Sequence, residues 1–159
     1  MKWITRERPK VDRIACPWLI TRYIDANAEF LFVPANDVHR IAAETGAIPF
    51  DVEGVELSHV GPLCSFDAFI AKYDLAGDSA LTQLAVIVRG ADTARMDLAP
   101  ECAGLLAVSL GLSRLYHDDH EQLRQGFVVY DALYAWLREA RGETHSWNPQ
   151  RTPGQAARG

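Results

Sequence analysis

An α+β fold is predicted for this 159-residue chain by three features: strand-like apolar runs confined to the first 60 residues, helical periodicity from residue 65 onward, and enough apolar content (48%) for one core. The expected architecture is a small sheet from the N-terminal third, covered by helices, with the C-terminal half all helical. "KWIT" reads as a short strand. "DRIACPWLITRYID" spaces its apolar residues as a helix does, with Pro17 fitting best near the first turn. "AEFLFVP" is a buried strand ended by Pro34, and "ANDVHRIAAETG" is a helix stopped by Gly46. "AIPFDV" and "VELSHV" read as two further short strands joined through Gly54.

Beyond residue 65, Ser65 is the expected cap of "FDAFIAKYDL" and Ser79 opens "ALTQLAVIVRG". Pro100 suits the first turn of "ECAGLLAVSLG". Asp118 and Glu121 have the spacing of a capping box for a long last helix, roughly residues 119 to 141. There is no internal repeat. The chain is read as a single domain over residues 1–147, followed by a Pro/Gly-rich flexible tail over 148–159.

Composition narrows the function classes. No apolar run is long enough to span a bilayer, and the opening "MKWITRERPK" is too polar for a signal peptide, so no membrane partner and no export are expected. Three widely spaced cysteines fit a reduced, cytoplasmic protein better than a disulfide scaffold. The first 22 residues are basic (Lys2, Arg6, Arg8, Lys10, Arg13 and Arg22 against Glu7 and Asp12) and the remainder is acidic. Such an end attracts anions, yet it is too small to argue for nucleic acid.

The chemistry-bearing residues concentrate in "SHVGPLCSFDAF". His59 and Cys64 flank a Gly-Pro turn that can bring imidazole and thiolate to one ion, although on local spacing alone ordinary turn bonding explains the pair better. Cys64 and Cys16 each stand near an expected helix start, where the dipole favours thiolate, and Cys16 is the redox candidate. Cys102 reads as core. Arg89 and Asp92 stand three apart on one helix. Asp131 is the only charge between residues 127 and 137, within a helix expected to be buried, so it calls for a partner. "HDDH", His117 to His120, fits helix capping better than metal binding.

Several segments together resemble the ChrB-type chromate resistance domain: "RIACPWLITRYIDANAEFLFVP", "IPFDVEGVELSHVGPLCSFDAF", "LAVIVRGADT", "ECAGLLAVSLGLSRL" and "VVYDALYAWL". The resemblance covers residues 1 to 147. It implies a cytoplasmic protein of chromate resistance. Members with an added N-terminal helix-turn-helix-like region are chromate-sensing regulators; that region is not seen in this sequence, which counts against nucleic-acid binding. Fusion of some relatives to rhodanese-like domains suggests a small-molecule or redox module. The family supplies no catalytic residues to carry over.

Two functions follow as expectations. One is a chromate-resistance module for sensing or detoxification that binds a metal ion or an oxyanion (a small molecule or oxyanion being the expected partner, with chromate the candidate), the anion through Arg13, Arg22 and Arg89 with Asp131 in support. The other is a metal-dependent enzyme with one Zn or Fe-type ion held by His59, Cys64, Asp67 and Asp92. The apolar last helix also offers a homodimer contact.

Overall fold

The computed structural model describes residues 1–146 and 149–150. Apart from these last two, the expected tail lies outside the described residues. The chain is α+β. Strand β1 (Lys2–Arg6) lies between β2 (Glu29–Val33) and the two-residue β3 (Ile48–Pro49), and both pairings are parallel. Parallel neighbours require crossovers, which α1 (Asp12–Leu19) and α2 (Val38–Thr45) supply between successive strands. Four more helices follow: α3 (Ser65–Lys72), α4 (Ser79–Asp92), α5 (Cys102–Leu115) and α6 (Asp119–Ala135).

The strand period of two sorts β1 onto two faces. Trp3 joins the main core with residues of α1, α3, α4 and α6, whereas Ile4 packs against Val38 and Ala47 beside α2. Helices therefore cover both faces of the sheet. The strand order β2-β1-β3 means that the chain leaves β1 to one side and returns to the other. In such sheets the carboxyl ends of the strands frame a crevice at the reversal point.

Several elements differ from expectation. "VELSHV" forms no strand. Pro49 lacks an N–H, Asp51 takes a left-handed φ of 49°, and the following residues run in turns, so the extended chain stops at β3. Only an isolated bridge between Val60 and Leu63 remains. The first helix starts at Asp12, which puts Pro17 inside it, and it continues through a π-helical turn at Ile20–Ile24. The caps also shift by one residue. Cys64 is the extended residue before α3, and the Asp67 carboxylate accepts its N–H at 3.0 Å. Asp78, not Ser79, caps α4 by accepting from the N–H groups of Ala80 and Leu81. Pro100 stands two residues ahead of α5.

The last helix begins as expected, with Asp118 accepting from Glu121 N–H. It is less buried than its composition suggests: it buries Gln122, Leu123, Gly126 and Tyr130 while Val128 remains 64% exposed. Gly126 is where α6 meets α1, because a Cβ there would lie 2.5 Å from Ile14 Cγ2. Among the described residues no helix is long and apolar enough to cross a membrane.

Gly126→Ala is expected to lower unfolding free energy by about 1–3 kcal/mol in chemical denaturation, since α1 and α6 must separate to admit the methyl group. Asp78→Ala removes the α4 cap and the acceptor of the Tyr134 hydroxyl, and is expected to cost about 1–2 kcal/mol in the same measurement.

Candidate functional site

The carboxyl ends of β1 and β3 feed the candidate site directly. Arg6 ends β1, Asp12 opens α1 beyond it, and Asp51 follows β3 by two residues. His59 comes from the turn before α3, and Asp92 from the last position of α4. These elements bring one imidazole nitrogen among three carboxylates. His59 Nε2 lies 3.0 Å from Asp92 Oδ2, 3.3 Å from Asp51 Oδ1 and 3.7 Å from Asp12 Oδ2. Ligand atoms of Asp12, His59 and Asp92 all fall within 4.8 Å of one another, a spacing that one metal ion can bridge.

Asp12 is the buried floor of this cluster. Its side chain is fully inaccessible and accepts from Ser65 N–H at 2.7 Å, Phe66 N–H at 3.0 Å and Cys16 Sγ–H at 3.2 Å. The cap shift at α3 makes this possible: with Cys64 as the cap, the Ser65 and Phe66 N–H groups belong to the first turn and lack intrahelical partners. Asp51 is tied to Arg6 Nη2 at 3.1 Å, Arg13 Nε at 3.4 Å and the Ser65 hydroxyl at 2.8 Å. Asp92 Oδ1 accepts from the Asp12 N–H at 3.4 Å. His59 forms the solvent side, with its side chain 41% exposed. A cleft of about 720 Å³ opens beside it, lined by Arg6, Asn36, His39, Asp51, Ser58 and His59 among others.

Burial and mutual repulsion set the electrostatics. Asp12 is raised well above the ordinary aspartate value, by burial first and then by Asp92 and Asp51, against the donors Cys16 and Ser65. Asp92 is raised as well, by burial and then Asp51, with His59 opposing. Burial, followed by Arg6, lowers Arg13. A cation at the centre would relieve the repulsion among these carboxylates.

The other sequence candidates lie elsewhere or are otherwise engaged. Cys64 and Asp67 bond each other at the start of α3, Sγ to Oδ2 at 3.3 Å, and do not join the His59 cluster. Arg89 forks onto Asp67 at 3.0 and 2.7 Å, so Arg89 and Asp92 on one helix serve different partners. Arg22 forks onto Asp131 at 3.0 and 2.8 Å, and Trp18 Nε1 donates to the same carboxylate. Asp131 is thus a surface ion pair, 46% exposed, not a buried charge. Arg13 donates to the carbonyls of Arg6 and Glu7 besides facing Asp51.

Both thiols depart from the thiolate expectation. Burial, then Asp12, pushes Cys16 well above the ordinary thiol range, and the same causes with Asp67 push Cys64 up. In "HDDH", Asp118 caps α6 while the His120 ring sits edge-on to Phe32. Sequence reasoning passed over Asp12 and Asp51. Position was a signal for Asp51, the first polar residue after a strand, whereas Asp12 follows Glu7, Arg8 and Lys10 and had no such mark.

Fold and cluster define the class: an α+β domain with a cluster of one histidine and three aspartates at the carboxyl edge of a small parallel sheet. The chain belongs to the ChrB C-terminal domain family, whose family model, described as "ChrB, C-terminal domain", matches residues 3–137. It is 33% identical over 140 residues to Protein ChrB of Cupriavidus metallidurans strain CH34, a match that covers 88% of this chain and 42% of that relative. The chain therefore spans less than half the length of the curated relative it matches. No solved structure matches it.

The raised carboxyls give a pH prediction for protein with no cation bound. The folded state keeps these protons to higher pH than the unfolded chain does. The associated stability is complete below the unfolded value near 3.8 and is lost as pH rises through the elevated values. Asp92→Asn removes one of these groups, so its stability relative to wild type is expected to increase as pH rises from about 4 to about 8. Urea denaturation in the presence of a chelator checks this; a difference independent of pH contradicts it.

Proposed function

We propose that this domain serves chromate resistance by holding one divalent transition-metal ion between Asp12, His59 and Asp92, with the adjoining cleft admitting a small molecule or oxyanion. The observation that carries this reading is the convergence of three carboxylates on His59 Nε2, at 3.0, 3.3 and 3.7 Å. The donors are oxygen and nitrogen, a set that suits Mn²⁺, Fe²⁺ or Zn²⁺. Sulfur does not contribute, because Cys16 and Cys64 are held as thiols by burial and by carboxylates that accept from them. A cytoplasmic setting accords with three unpaired cysteines.

Direct oxyanion capture by Arg13, Arg22 and Arg89 has less support, since each guanidinium faces a carboxylate partner. An oxyanion fits better as a ligand that reaches the metal from the cleft beside His59. That cleft also favours a second reading, in which the loaded site performs metal-assisted chemistry on a small molecule.

Elemental analysis of untagged protein is expected to find about one equivalent of a first-row metal after loading and desalting; less than about a tenth contradicts the reading. His59→Ala and Asp92→Asn are expected to weaken metal affinity by at least about a hundredfold. Calorimetry with chromate and with sulfate is then expected to show binding to the loaded protein that is absent from metal-free protein and from His59→Ala.

A further inference from the structure

The segment between β1 and α1, Glu7 to Val11, is held in an unusual backbone conformation from outside. Arg8 has φ 54°, and Val11, a β-branched residue, has φ 44° and ψ −98°. Side chains rarely adopt such angles, and they persist only where surrounding contacts over-determine them. Those contacts come from the end of α5, where the Arg8 guanidinium donates to the carbonyls of Ser113, Tyr116 and His117, and from α6. Gln122 Nε2 donates to the Pro9 carbonyl at 2.6 Å, and the Tyr130 hydroxyl donates to the Val11 carbonyl at 3.1 Å. Both residues are on α6 and both are buried. Asp119, also on α6, accepts from Arg8 N–H at 3.1 Å. From the other side, Arg13 Nη1 donates to the carbonyls of Arg6 and Glu7.

We infer that Gln122 and Tyr130 are positioning residues for the metal site, acting through this strap on Asp12; the inference rests on the metal reading above. Val11 immediately precedes Asp12, so the rotation at Val11 sets where the Asp12 N–H and side chain point. That N–H meets Asp92 Oδ1, and the carboxylate meets the first turn of α3 and the cluster at His59. The Val11 carbonyl also accepts from the Ile14 and Ala15 N–H groups at 3.1 and 2.8 Å, so without Tyr130 it is held by its own helix alone; the strap then relaxes toward ordinary angles and shifts Asp12 relative to Asp92 and His59. Neither Gln122 nor Tyr130 is among the residues proposed to ligate the metal.

A nearby residue separates positioning from general packing. Tyr134 lies one turn along the helix and packs on the same Trp18 ring as Tyr130, with centroids 5.8 and 6.2 Å away. Its hydroxyl donates to Asp78 and does not touch the strap.

The test is titration of metal-free protein with Co²⁺, read by affinity and by the visible d–d spectrum, with thermal melts confirming that each variant is folded. Tyr130→Phe and, independently, Gln122→Met are expected to weaken Co²⁺ binding about tenfold and to alter the spectrum. Tyr134→Phe is expected to leave both unchanged while still lowering thermal stability. Wild-type affinity and spectrum in both Tyr130→Phe and Gln122→Met, or an equal loss in Tyr134→Phe, overturns the positioning role and leaves the metal site standing. Absence of Co²⁺ binding by the wild type overturns both.

Discussion

The buried carboxylate of Asp12 joins the start of α1 to the start of α3 through the Ser65 and Phe66 N–H groups, and most of the site is arranged around that bond. Two demands meet in it. The first turn of α3 has N–H groups without helical partners, and an inaccessible carboxylate needs donors to remain in the fold. Each solves the other's problem. Because α1 follows β1 and α3 follows the turn that carries His59, the same bond brings the end of the sheet against that turn. Removing the carboxylate would orphan two helix-start donors and take away one of the three proposed metal ligands. Asp12 is therefore the residue at which folding and function are least separable.

Around this point the charges are distributed unevenly. Asp51 has Arg6, Arg13 and the Ser65 hydroxyl, so its share of the negative charge is largely answered within the protein. Asp12 and Asp92 face His59 and each other, and burial first, then repulsion among the carboxylates, raises both. A site of this kind is polarised toward a cation at one place, beside the imidazole and next to the cleft. The two nearby thiols keep their protons and act as hydrogen-bond donors, which leaves the donor set hard to borderline in character.

The fold was largely legible in the sequence because its signals are local. The β2 run, the Gly46 stop with its left-handed φ of 72° and the Asp118 cap each depend on a few adjacent residues. The strand expected over "VELSHV" failed because a strand needs a partner, and the backbone turns at Asp51 before one can form. The site was legible only in part. His59 and Asp92 stood out by residue type and do meet, whereas Cys64 and Asp67 stood out equally and satisfy each other and Arg89 instead. Asp12 and Asp51 looked ordinary in sequence, as charges at the ends of short segments. Their role follows from parallel strand order, which places both at one crevice and which local patterns do not encode. Asp131 shows the opposite error: a lone charge in an apolar helix proved to lie on its exposed side, paired with Arg22.

The central claim is that the metal is held by oxygen and nitrogen from Asp12, His59 and Asp92, with sulfur excluded. X-ray absorption on metal-loaded protein tests this most directly. The account predicts an inner shell of light atoms at about 2.0–2.2 Å with the outer scattering of a single imidazole, lost in His59→Ala. A sulfur scatterer at about 2.3 Å, or a shell unchanged by His59→Ala, would contradict it.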